Sequence, residues 1–273
     1  KPPVVNLLVI ILMVGLGFVI VGPLIGAVVA LPFFDGGITQ LMEALQPPFN
    51  DPNLKIPLYI MQGCATIVGL IATPAVYLMS RQRSMKSLFD KPIDSLPALV
   101  TIVVVIIFMG VNSIFIEWNA NVDFPDFAES FESWARERED SLGEVTKFLT
   151  QFASRNEFLI AIIVIAVLPA IGEEIVFRGL IQNELRRATH NPHVAIWFAA
   201  ILFSAIHFQF FGFIPRLLLG ALFGYLYYWS GNLVIAIIAH FVNNAVSVTA
   251  LYLYQQGVLE FDVESPEAFP LTA

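Results

Sequence analysis

Apolar residues run along this chain in blocks too long for a soluble helix, separated by short polar stretches. Val4 to Phe34 is the first, and about twenty residues suffice to cross a bilayer. Further blocks run from about Ile56 to Met79, Leu96 to Ile116, Asn156 to Leu180, Val194 to Phe211, Leu217 to Trp229 and Leu233 to Tyr254. The pattern predicts an all-α, polytopic transmembrane helical bundle of about seven spans. The longest polar stretch, Glu117 to Asn156, lies between spans three and four and has a different period. Phe124, Phe127, Phe131, Trp134 and Ala135 recur at helical spacing, and so do Leu142, Val145, Phe148, Leu149 and Phe152. These predict two amphipathic, extramembrane helices that pack on the membrane surface or on the bundle, with a substrate-recruiting lid as the sharper reading. The chain thus divides into a three-span region (1–116), an acidic connector (117–156), a four-span core (157–256) and an acidic tail (257–273). Gly22-xxx-Gly26 and Gly220-xxx-Gly224 offer small-residue faces for close helix packing.

Composition agrees with this pattern. Hydrophobic residues make up 57% of the 273 and charged residues 13%, about half the share usual in soluble domains. The mean hydropathy is +0.76. The net charge of −8 is segregated along the chain, and no basic patch carries interleaved aromatics, which argues against nucleic acid as a partner. A lone cysteine, Cys64, excludes an intrachain disulfide and a cysteine-based metal site; in its apolar run it reads as a packing residue. The sequence opens Lys1-Pro2-Pro3 without a Met, as a truncated chain would, and its first apolar run is too long and continuous for a cleavable signal.

Arg81, Arg83, Lys86 and Lys91 form the strongest positive cluster and are expected in the cytoplasm. Alternation then places the N-terminus inside, the acidic connector outside, Arg186 and Arg187 inside and the tail outside, with Arg216 the one isolated exception. The expected compartment is a bacterial inner membrane.

Ionisable groups inside such spans are costly and mark candidate sites. Pro169-Ala170-Ile171-Gly172-Glu173-Glu174-Ile175-Val176-Phe177-Arg178-Gly179 follows the apolar run Phe158 to Leu168. Glu174 and Arg178 are four apart and share a helix face, in the better acid-first order. Glu173 is turned about 100° away. The spacing divides labour: Arg178 neutralises Glu174 and leaves Glu173 free. A direct hold on a substrate carboxylate is the sharper reading of Arg178. His207 closes Phe203-Ser204-Ala205-Ile206-His207, and His240 and Asn244 lie four apart on one face. Three spans therefore each carry polar groups at membrane depth. His190 and His193 flank Pro192 and read as solvated. Arg216 reads as an interfacial anchor or, less simply, an anion site. Phe203 is placed to fix the His207 imidazole, and Asn243 to share the work of His240.

Glu-Glu-xxx-Arg, Phe-xxx-His and His-xxx-Asn, in this order on successive helices, resemble the CAAX-prenyl-protease and bacteriocin-processing (CPBP, or abortive-infection) family of membrane endopeptidases. The resemblance covers about Ile160 to Val248. It implies hydrolysis of a peptide bond near the cytoplasmic membrane interface, in a hydrated cavity open to the cytoplasm. The substrate would be a lipid-anchored or membrane-inserted protein or peptide. By resemblance, Glu173 with His207 activates a water, His240 and Asn244 form the oxyanion hole, and Glu174, Arg178 and Phe203 support them. A second version has Glu173, His207 and His240 bind zinc, three ligands and an open position being a usual catalytic arrangement. No cofactor is fixed by the sequence. A non-catalytic scaffold is disfavoured because all four candidate catalytic residues are present. A proton-coupled transporter is disfavoured by the absence of matched repeats.

Overall fold

The computed structural model describes residues 2–45, 48, 49 and 51–260, and every regular element among them is a helix. We number these α1 (Pro3–Phe33), α2 (Ile38–Ala44), α3 (Pro52–Ser80), α4 (Ser95–Ala120) and α5 (Glu129–Thr150), then α6 (Arg155–Thr189), α7 (Pro192–Ala205), α8 (Phe213–Ser230) and α9 (Leu233–Gln255). Five of them, α1, α3, α4, α6 and α9, are long and apolar enough to cross a membrane. With α7 and α8 packed among them they form a polytopic membrane bundle. Of the expected tail, residues 261–273 lie outside the described residues.

Prolines shape the long helices. Wide π turns at Gly17–Val21, Ile67–Ala72 and Ile162–Val167 each end two residues before a proline, namely Pro23, Pro74 and Pro169. Proline has no N–H to donate, so the carbonyl four residues earlier loses its helical partner, and a local change of register absorbs the defect. The helices pack through small residues. A Cβ added at Gly22 would stand 2.6 Å from the Ala65 Cα, and one at Gly26 2.7 Å from the Met61 Cα. Backbone-to-backbone approach between α1 and α3 therefore depends on these two glycines.

Three boundaries differ from the expectations. Span four continues past Leu180 to Thr189 as part of α6. Its last π turn, Ile175–Gln182, leaves carbonyls at Arg178 and Gly179 that the Asn183 amide fills at 3.1 and 2.9 Å. The connector forms one continuous helix, α5, rather than two. The charged stretch between the two apolar sets contains only Gly143 to weaken it, and that glycine faces open space. The fifth apolar block ends as a helix at Ala205, so His207 lies in a turn beyond it. The block is continuously apolar to Phe211, but Phe210 and Phe211 pack sideways on the connector rather than prolonging the helix.

The bundle has two chemically distinct ends. Arg81 bonds Asn6, which in turn bonds Glu184, and Asn232 bonds the Pro92 carbonyl; the Lys/Arg-rich turns thus gather at one end. At the other end Asn119 of α4 bridges the Phe210 carbonyl and the Ile214 N–H, tying the 206–212 turn beneath the connector.

Candidate active site

Glu174 is fully buried at mid-length of α6 and is saturated on one oxygen. Arg178 Nη1 donates to Glu174 Oε1 at 2.9 Å, and His240 Nδ1 of α9 lies 2.8 Å from the same atom. Arg178 is 1% exposed and donates from Nη2 to the Gly220 carbonyl of α8 at 2.7 Å. Its guanidinium lies over the rings of Phe203 and Phe223, 5.0 and 5.5 Å from their centroids. A buried charge is tolerable only when paired and hydrogen-bonded, and these contacts provide both. The expected pairing of Glu174 with Arg178 is therefore present, and the same carboxylate also orients His240.

Glu173 has the opposite surroundings. Its side chain is 16% exposed, and its nearest ion-pair contact, to His240 Nε2, is 3.9 Å, too long for a hydrogen bond. From Ile175 through Gln182 every residue is buried. The turn bearing His207 lies at the connector end.

His207 is half-buried, and its Nδ1 lies 2.7 Å from the Phe203 carbonyl. A carbonyl only accepts, so Nδ1 carries the proton and Nε2 of a neutral ring is the bare nitrogen. Phe203 meets the imidazole edge-on at 5.1 Å and also packs against Phe177, as its place one turn earlier suggested. His240 is held on its other face by Phe223, whose ring stacks at 5.1 Å. Asn244 donates from Nδ2 to the Ile165 carbonyl at 3.1 Å and accepts from Asn243 at 3.1 Å. Ile165 is the residue whose α-helical partner would be Pro169. Asn244 thus repairs the backbone defect of α6 and keeps its second amide proton available.

Among the described residues no three His, Cys, Asp or Glu side chains are grouped as metal ligands.

Residues 155–246 match the family model described as Rce1-like, type II CAAX prenyl endopeptidase Rce1-like. That segment holds all three polar motifs. Its limits agree closely with the stretch that carries the three motifs. A curated relative, the uncharacterized protein YpbD of Bacillus subtilis (strain 168), is 35% identical over 89 residues. The aligned stretch is 31% of this chain and 42% of that protein, so the chain spans under half of the relative's length. No solved structure matches the chain.

Around the matched segment, sequence reasoning missed several residues. Phe223 lies in an unremarkable apolar helix, and nothing in the sequence singles it out. Arg216 is not a free interfacial anchor. It bonds Gln209 Oε1 at 2.7 Å, and its charge acts on both His207 and Glu173. A single arginine in the first turn of a helix after Phe-Gly-Phe-Ile-Pro was the available signal. Glu139 of the connector accepts the Phe211 N–H at 3.1 Å, and Arg136 lies 4.2 Å over the Phe211 ring. The connector therefore sits on the turn that carries His207.

Burial pushes the Glu139 carboxyl above its ordinary range, with Asp140 adding to the effect and the Phe211 N–H and Arg216 opposing it. A raised folded-state pKa gives stability that is complete below the unfolded value and lost as pH rises through the folded one. Connector docking is therefore expected to loosen on raising the pH through the weakly acidic range. Faster hydrogen exchange at the 206–212 amides would report it, after correction for the intrinsic pH dependence. Glu139→Gln should flatten that response, and an unchanged response in the variant would remove Glu139 as its origin.

Proposed function

We propose that the protein is an intramembrane endopeptidase that hydrolyses a peptide bond of a lipid-anchored or membrane-inserted protein or peptide. The observation that carries this reading is the contrast between two adjacent carboxylates. Glu174 is consumed by Arg178 and His240, while Glu173 is partly exposed, unpaired at hydrogen-bond range, 3.9 Å from His240 Nε2 and within electrostatic reach of His207. The match of residues 155–246 to a CAAX-type endopeptidase family supports it.

In this mechanism Glu173 removes a proton from a water as its oxygen bonds to the substrate carbonyl carbon. A base works at about 2.6–3.2 Å from the proton's oxygen. The bare Nε2 of His207 accepts a hydrogen bond from the same water and orients it. Charge moves to the former carbonyl oxygen. There the second amide proton of Asn244, and His240 Nε2 when it carries a proton, donate hydrogen bonds in a low-dielectric setting where they count most. The C–N bond then breaks as the proton held by Glu173 passes to the leaving amine. Glu174 and Arg178 touch no reacting atom and fix the His240 ring.

The test compares protein termini in membranes from cells carrying wild type and Glu173→Gln at matched expression. Termini present only with wild type, clustered near one membrane face, are expected and would name the substrate. Identical sets of termini, with no cleavage of candidate peptides by purified protein, would overturn the reading.

The membrane we assign is a bacterial plasma membrane with the N-terminus inside. The collected Lys and Arg residues support this, as does the bacterial source of the relative. The turn that bears His207 then lies at the outer, connector end. Cysteines placed singly at Asp140 and Ser84 in a Cys64→Ser background should react differently with an impermeant maleimide. Asp140→Cys should label in intact cells and Ser84→Cys only after permeabilisation; the reverse pattern inverts the orientation.

A further inference from the structure

A cavity lies at the basic end of the bundle. It is about 860 Å³ and is enclosed by the start of α1, the end of α3 and the last turns of α6. Tyr77, Leu78 and Leu180 give it an apolar floor, and Arg81, Arg83, Arg186 and Arg187 stand around its rim. One carboxylate, Glu184, faces this group; it pairs with Arg187 at 3.0 Å and accepts from Asn6 at 3.2 Å. Asn6 in turn holds Arg81 at 2.7 Å, which fixes that guanidinium on the wall. Among the described residues Arg81, Arg83 and Arg186 form no ion pair. The rim is thus strongly cationic and its charge is only partly balanced.

A smaller cavity of about 260 Å³ adjoins it, sharing Asn183 and Arg186 and adding Lys91. Gln182 lines this second space; it is 5% exposed, and its Oε1 has no hydrogen-bond partner. A buried acceptor without a donor is costly, and a ligand hydroxyl would satisfy it. The preference of basic residues for the cytoplasmic side explains arginines at this end. It does not explain their arrangement around a concavity with an apolar floor and a buried acceptor beside it.

We propose that this double cavity binds a phosphate-bearing ligand that also carries hydroxyl groups, with Arg83 and Arg186 holding the phosphate and Gln182 accepting from a hydroxyl. Arginine suits this role because its forked donors match phosphate oxygens. The ligand chemistry could come from an anionic lipid headgroup or from a soluble phosphate ester. The apolar floor at membrane-interface depth favours the lipid.

The experiment measures binding of three probes to the purified full chain in detergent: short-chain phosphatidylglycerol, short-chain phosphatidylcholine and glycerol 3-phosphate. Phosphatidylglycerol is expected to bind, phosphatidylcholine to bind at least about tenfold more weakly, and Arg83→Gln/Arg186→Gln to weaken phosphatidylglycerol by about tenfold or more. Arg138→Gln/Lys147→Gln removes the same charge from exposed connector positions and should change binding less than about twofold. Arg83→Gln alone repeats the test if the paired variant does not fold. Equal or tighter binding of glycerol 3-phosphate, with the same dependence on the arginines, assigns the site to a soluble ligand. The proposal is overturned if no anionic probe binds, or if the connector pair loses as much as the rim pair.

Discussion

Glu173→Gln is expected to lower cleavage by about 10²- to 10⁴-fold, the range over which a positioned base contributes, while leaving the thermal unfolding of the purified protein unchanged. The two halves of this result come from the same geometry. Glu173 has no hydrogen-bonded ion pair to lose, since His240 Nε2 is 3.9 Å away. Gln has nearly the same shape, so the stability change should stay within the roughly 0.5 kcal/mol typical of sites without a buried partner. Its amide, however, cannot take a proton from water. Glu174→Gln offers the contrast one residue on. It leaves the Arg178 guanidinium without its carboxylate and weakens the hold on His240 Nδ1, so both stability and cleavage should fall. Rates on the substrate found by terminus mapping, measured beside melting curves, separate the cases. A Glu173→Gln enzyme retaining more than about a tenth of wild-type activity would remove Glu173 from the base role.

That contrast was legible in the sequence because it is local. Spacing of four put Arg178 over Glu174, and 100° of rotation turned Glu173 away. The membrane bundle was equally legible, since apolar block length alone reports spans. What could not be read were features decided between elements. Glu174 and His240 are 66 residues apart and meet only because α6 and α9 pack together. Asn244 was expected on the His240 face, but its bond to the Ile165 carbonyl follows from a defect that Pro169 creates in another helix. The end of α7 was hidden because Phe208, Phe210 and Phe211 continue the apolar run. Phe208 takes a left-handed φ of 52° and the chain leaves the helix. Hydropathy cannot distinguish an aromatic facing lipid from one packed on an amphipathic connector.

These hidden features share a consequence for the site. His207 hangs from a turn rather than a helix, so its position depends on Asn119, Glu139 and Arg136 as much as on its own neighbours. His240, by contrast, is fixed between Phe223 and Glu174 in the most buried part of the bundle. The proposed base Glu173 therefore interacts with a rigid histidine, His240, and with one, His207, whose placement the connector controls.

Arg178→Met should cost about 3–5 kcal/mol of stability, the usual penalty for stranding one member of a buried pair. Methionine fills much of the stem's volume, so the loss is chiefly electrostatic. Glu174, 0% exposed, would keep a charge with only His240 to answer it, and the Gly220 carbonyl would lose its donor. Arg178→Lys should recover only part of the loss, because one ammonium has to replace a fork that reaches Glu174 and Gly220 at once. Adding Glu174→Gln to Arg178→Met removes the stranded charge, so the double variant should be more stable than Arg178→Met alone. Coupling of this sign is what a double-mutant cycle detects for residues in contact. Cleavage should stay low in every variant of the cycle, because none restores the buried Arg178–Glu174–His240 arrangement. Recovery of stability without recovery of activity would mark Arg178 and Glu174 as positioning residues. Full activity in the double variant would mean that His240 needs no such support, and the division of labour between the two glutamates would have to be redrawn.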